Sequence, residues 1–155
     1  MTKPDRRQMK SAARLYAVQA LFQMEAGDVT LEEVREQFID HRFGAEIEEG
    51  EFVPGNVNLF ETLLFEAVNN QARIDQMTDR ALVAKWPIDR IDSTLRALFR
   101  AAGAELITGK TPPKVSISEF VDVAKAFFPE GREASFVNAV LDHMAHEAQP
   151  EAFEK

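Results

Sequence analysis

The side chains most able to do chemistry in this 155-residue chain are basic and sit at its start. Arg6, Lys10 and Arg14 recur every fourth residue, with Lys3 and Arg7 beside them and only Asp5 in opposition. On a helix that spacing stacks three cations along one face. Such a stripe suits a row of phosphates, each contact releasing condensed counterions. A second group, Phe127 and Phe128, follows Lys125 and precedes Pro129-Glu130-Gly131, where a helix must end. Rings at such an end are candidates for stacking on unpaired bases, with core packing as the competing use.

Other constellations carry less. Thr108-Gly109-Lys110-Thr111 has the close of a phosphate loop, but the required first glycine falls on Ala104, with Gly103 one place off. A helix precedes it and two prolines follow, where strand and helix are required, so a nucleotide loop is excluded. His143 and His146 are spaced to share a metal, yet they sit near a chain end with His41 as the sole remaining histidine. They read as solvated, and no metal is expected. Ser11, Ser93, Ser116, Ser118 and Ser135 lie in no strained elbow.

Composition sets the frame for these residues. The net charge is −8, so the basic arm of residues 1–14 sits on an acidic body. That combination binds polyanion locally while repelling it elsewhere. With no cysteine there are no disulfides, thiolate nucleophiles or cysteine-ligated zinc, which fits a reducing cytoplasm. No apolar run approaches the ~20 residues of a membrane span, and Arg14 and Gln19 interrupt any signal-peptide core.

The elements that must position these groups read as helices throughout, about seven of them in one all-α domain over 1–150. The first runs over 6–26, with Gly27 as its C-cap. Thr30 with Glu33 caps a second helix that ends near Gly44. Residues 44–57 read as an exposed acidic loop containing Glu46, Glu48, Glu49 and Glu51. Asn58 opens a third helix to about Arg73. A fourth runs from Ile74 to Lys85, stopped by Trp86-Pro87, and a fifth from Ile88 to Thr108. Gly103 and nearby alanines permit close helix contact. Thr111-Pro112-Pro113 is a stop, Ser116 with Glu119 caps a sixth helix, and Phe136 to Met144 mark the last. The tail past Ala148 is expected to fray, leaving 151–155 flexible.

Four blocks in order resemble the NusB family of transcription antitermination factors over nearly the whole chain. They are Ala13-Arg14-Leu15-Tyr16-Ala17-Val18-Gln19-Ala20-Leu21-Phe22, Trp86-Pro87-Ile88-Asp89-Arg90-Ile91, Pro113-Lys114-Val115-Ser116-Ile117-Ser118-Glu119 running on to Lys125, and Phe136-Val137-Asn138-Ala139-Val140-Leu141-Asp142. The resemblance implies two small helical subdomains and binding of boxA RNA of ribosomal RNA leaders together with the ribosomal protein NusE. The complex would join RNA polymerase with NusA and NusG, and neither catalysis nor a cofactor is expected. Carried over by position, the RNA-binding arm falls on Arg6, Arg7, Lys10 and Arg14. A second RNA-facing patch falls on Lys125, Phe127 and Asn138, with Tyr16, Gln19 and Phe22 nearby. The NusE face falls around Asp89 and Arg90. Ser11, Ala12, Ser135 and Leu95 depart from the family pattern. With the acidic body, they leave open a helical module that binds NusE with little RNA affinity. A related domain is fused to an RNA cytosine methyltransferase, which would need a catalytic cysteine and a following domain, so that enzyme is not expected.

Overall fold

The structure is a computed structural model that describes residues 5–43, 55–82, 91–130 and 132–154. Seven α-helices account for most of these residues: α1 (Arg6–Gly27), α2 (Leu31–Phe38), α3 (Val57–Asn69), α4 (Gln71–Ala81), α5 (Ser93–Thr108), α6 (Pro113–Phe127) and α7 (Arg132–Ala148). No strand occurs among the described residues, as the helical periodicity predicts.

The fold is arranged around α5, which packs against α1, α3, α4, α6 and α7. Its sequence explains that position. Leu95, Leu98, Phe99 and Leu106 bury large apolar surface, and Ala97, Ala101, Ala102, Gly103 and Ala104 are buried between them. A helix apolar on nearly every side belongs at the centre. The small residues let neighbouring backbones approach, and at Gly103 this is a requirement. A Cβ there would stand 2.4 Å from Ile74 Cγ2 of α4. Phe60, Phe99 and Phe120 are fully buried around this axis, each contributing about 1.5–3 kcal/mol of burial.

Helix ends depart from expectation where capping chemistry outweighs apolar period. α1 opens on a capping box: the Asp5 side chain accepts from Gln8 N–H, and the Gln8 side chain accepts from Asp5 N–H. Gly27 stays in its last turn, and Asp28 takes the left-handed conformation at φ 54°, which aspartate tolerates. Thr30 caps α2 as expected, and one π-turn, Ile39–Phe43, follows. Asn56, not Asn58, caps α3 by accepting from Leu59 N–H. The Asn56 N–H in turn donates to the Met9 carbonyl at 2.9 Å, fastening the returning chain to α1. The third and fourth helices divide at Asn70 rather than after Arg73.

α5 begins at Ser93 rather than Ile88, because the Asp92 carboxylate accepts from Thr94 N–H at 2.7 Å. α6 begins at Pro113, since proline suits the first helical position. Ser116 is therefore not a cap: it is buried in the first turn, and its hydroxyl has no hydrogen-bond partner among the described residues. The tail expected to fray instead turns into a 3-10 segment, Pro150–Phe153, whose Phe153 ring stacks on His146 at 3.7 Å. Gly55 and Asn56 of the expected acidic loop are described; its residues 44–54 lie outside the described residues, as does the Trp86-Pro87 stop.

Candidate nucleic-acid interface

The basic stripe on α1 divides into two parts. Arg6, Arg7 and Lys10 are exposed, while Arg14, one turn further on, is 3% exposed. By that turn α1 is covered by α5 and α6, and each contributes a carboxylate. Arg14 Nε and Nη2 reach the two oxygens of Glu105 at 2.9 Å each, and Nη1 lies 3.4 Å from Glu119 Oε1. The planar guanidinium suits this forked pairing. Ser11 donates to Glu119 at 3.1 Å, and Thr111 donates to Glu105 at 3.2 Å. The expectation that Arg14 faces phosphate is corrected: its charge is committed to a buried network joining α1, α5 and α6.

The departures at Ser11, Ala12 and Leu95 find their reasons in the same packing. The Ser11 hydroxyl belongs to the buried network. Ala12 and Leu95 are core residues, each 8% exposed, with no room to present a charge to solvent.

Arg6, Arg7 and Lys10 line a groove of about 660 Å³ whose opposite side carries Lys110 and Lys114 from the α5–α6 turn and the start of α6. All five cations are exposed, and none has an ion-pair partner among the described residues. Periodicity could not have found the two lysines, because they reach the groove only through tertiary packing. The nearest signal was the Gly-Lys-Thr triplet rejected as a phosphate loop.

From this groove the surface continues along α6, which runs beside α1 in the same sense. Glu119 meets Ser11 and Arg14, and further along Phe127 lines one groove with Gln19 and Phe22. Lys114 and Ser118 also line a second groove of about 360 Å³, which contains Lys125 and Asn138. Both of these are exposed, with Lys125 only loosely associated with Asp122 at 4.0 Å. A third groove, about 470 Å³, gathers Gln19, Phe22, Gln23, Thr94 and Phe127. Phe22 is exposed and Phe127 half-buried. The Gln19 Oε1 atom is buried and has no hydrogen-bond partner among the described residues.

Tyr16 does not join this surface. It is buried on the inner side of α1 against Phe38, with ring centroids 6.5 Å apart. Asp89 and Arg90 lie outside the described residues. Among the described residues no cluster of three or more His, Asp or Glu side chains is arranged to hold a metal. His146 instead bonds the Asp142 carbonyl. No helix among the described residues is long and apolar enough to cross a membrane.

Fold and surface together define an all-α protein with a groove of exposed cations, unpaired among the described residues, beside the exposed Phe22 and half-buried Phe127 rings. The model of the NusB family matches residues 11–146, and the chain belongs to that family. It is 44% identical over 150 residues to the transcription antitermination protein NusB of Maricaulis maris, covering 96% of this chain and 93% of that protein. The solved NusB structure of T. maritima superposes with a TM-score of 0.72 at 31% identity, covering 99% of this chain and all of that one. A crystal structure of the antitermination factors NusB and NusE in complex with dsRNA gives a TM-score of 0.70 at 23% identity, covering 88% of this chain and 96% of that one, a likeness of fold. The family match begins at residue 11, after the exposed cations Arg6, Arg7 and Lys10.

Proposed function

We propose that this chain binds boxA RNA of ribosomal RNA leaders jointly with the ribosomal protein NusE, and that the complex supports rRNA transcription through RNA polymerase with NusA and NusG. The observation that carries this reading is the α1–α6 seam. Exposed cations without ion-pair partners among the described residues stand at one end, and Phe22, Phe127 and Gln19 line a groove at the other.

The two ends suit different parts of a single strand. Phosphate contacts position an RNA without reading it, whereas rings and amides read exposed bases. From Arg6 to Phe22, α1 rises about 24 Å at 1.5 Å per residue, room for several nucleotides of a single strand. Phe22 and Phe127, which line one groove with Gln19, suit stacking on exposed bases. Lys125 and Asn138 extend the polar track on the α7 side. Asp89 and Arg90 remain the proposed NusE face on the strength of the family resemblance. The solved complex of a NusB with NusE and dsRNA is consistent with a shared mode of assembly.

Equilibrium binding of a boxA-containing RNA and a scrambled RNA of equal length, with and without NusE, tests the proposal. The expected result is a preference for boxA that strengthens when NusE is present. By linkage, boxA RNA then tightens NusE binding by the same factor. Equal binding of both RNAs, or NusE binding with no boxA preference, would overturn it in favour of a protein-interaction module.

A further inference from the structure

We propose that Lys110 and Lys114 form a second wall of the RNA-backbone site, and that the buried Arg14–Glu105–Glu119 network holds this wall in register with the arm. The inference rests on the RNA-binding reading above and adds to it a set of phosphate contacts that comes from another part of the chain.

Three observations carry it. Lys110 and Lys114 line the same groove as Arg6, Arg7 and Lys10 and are likewise exposed and without ion-pair partners among the described residues. Their placement is built rather than incidental. Gly109 turns the chain at φ 75°, Thr111 is tied to Glu105, and Pro113 starts α6, which presents Lys114 in its first turn. Finally, the tether of each wall ends in one buried cluster. Arg14 and Ser11 anchor α1, Thr111 anchors the turn, and Glu119 anchors α6.

The cluster sets one guanidinium against two carboxylates, so the floor of the groove carries no net positive charge. Attraction for phosphate must come from the two walls. Lysine on the second wall suits this work, since a flexible ammonium follows a backbone without demanding one geometry. Contacts of this kind are independent of sequence. The lysine wall should therefore contribute equally to a boxA RNA and to a scrambled RNA, leaving the ratio between them unchanged.

The test is the slope of log affinity against log salt for three double or triple variants of the full chain, measured on both RNAs. K110A/K114A should lower the magnitude of the slope by about 1.4–1.8, at 0.7–0.9 per phosphate lost, with the boxA preference retained. R6A/R7A/K10A should lower it by about 2–3 on the same basis. R73A/R80A removes two cations from α4, outside the groove, and should leave it near wild type. A K110A/K114A slope equal to wild type beside a flattened arm variant overturns the second wall while leaving the arm reading intact. Equal flattening by R73A/R80A overturns it too, because net charge alone would then suffice. Unchanged slopes for both groove variants would overturn the wall and the arm together. Should K110A/K114A fail to fold by circular dichroism, K110Q/K114Q keeps the aliphatic stems and is read in the same way.

Discussion

Two regions of this molecule are rich in basic side chains and use them in opposite ways. On the flank built by α4, α5 and the end of α1, Arg100 forks onto Asp75 at 3.0 and 2.9 Å, and Arg96 lies 2.6 Å from Glu25. Arg80 of α4 is paired with Glu147 of α7. In the α1–α6 groove, Arg6, Arg7, Lys10, Lys110 and Lys114 have no ion-pair partner among the described residues. These three arginines are satisfied by the fold, while the groove's cations are left for something outside it. Asking which cations already have a carboxylate, rather than counting them, separates the two regions. Arg14 marks the border, one turn from Lys10 and on the satisfied side.

The comparison can be broken first at that border. Arg14→Ala leaves Glu105 and Glu119 buried without their cation and should cost about 3–5 kcal/mol. For a chain of this size that lowers Tm by on the order of 10 °C. Arg6→Ala should change stability by less than about 0.5 kcal/mol. Thermal unfolding of the two variants side by side decides the matter, and similar losses would erase the border.

A second effect probes the packing behind the flank. Gly103→Ala should destabilise by about 1–3 kcal/mol through its clash with Ile74. Combined with Ile74→Ala, it should cost less than the sum of the single changes. Chemical denaturation measures both, and simple additivity would deny the close approach of α4 and α5. Smaller again, Arg100→Ala should cost about 1 kcal/mol, near the upper range for partly exposed pairs, and should leave RNA affinity unchanged.

The smallest effect depends on pH. The Arg80 hydrogen bond holds the Glu147 carboxyl below its ordinary value of 4.5. Because the folded-state value is depressed, the pair's stabilisation is present above 4.5 and is lost as pH falls through the folded value. Glu147→Gln should reduce the loss of stability between neutral and acidic pH, read as denaturation midpoints. An identical pH profile in the variant would remove Glu147 from the account.

How far the sequence led follows the range of each interaction. The all-helical fold, the Thr30 cap and the close approach at Gly103 were legible, because periodicity, capping and small-residue packing leave local marks. The start of α5 was misplaced because Ile88 continues the apolar period, while the Asp92 cap determines where the helix opens. Periodicity placed Arg14 on the stripe with Arg6 and Lys10 correctly as helix geometry. It could not show that Glu105, 91 residues away, would close over it. Tyr16 and Phe22 share a helix, yet only Phe22 stays exposed, since α2 supplies Phe38 to cover Tyr16. Lys110 and Lys114 carried no local signal, for their role arises only when the α5–α6 turn lies against α1.

In the proposed function the unpaired cations of the groove, rather than cations as such, bind RNA. Its most direct test is the salt dependence of RNA affinity in R6A/K10A against R35A/R80A. Each variant removes two exposed or part-exposed cations, but Arg35 and Arg80 are paired with Glu61 and Glu147. The slope should be lower by about 1.4–1.8 in R6A/K10A and close to wild type in R35A/R80A. Equal flattening in both variants, or a larger change in R35A/R80A, would contradict it.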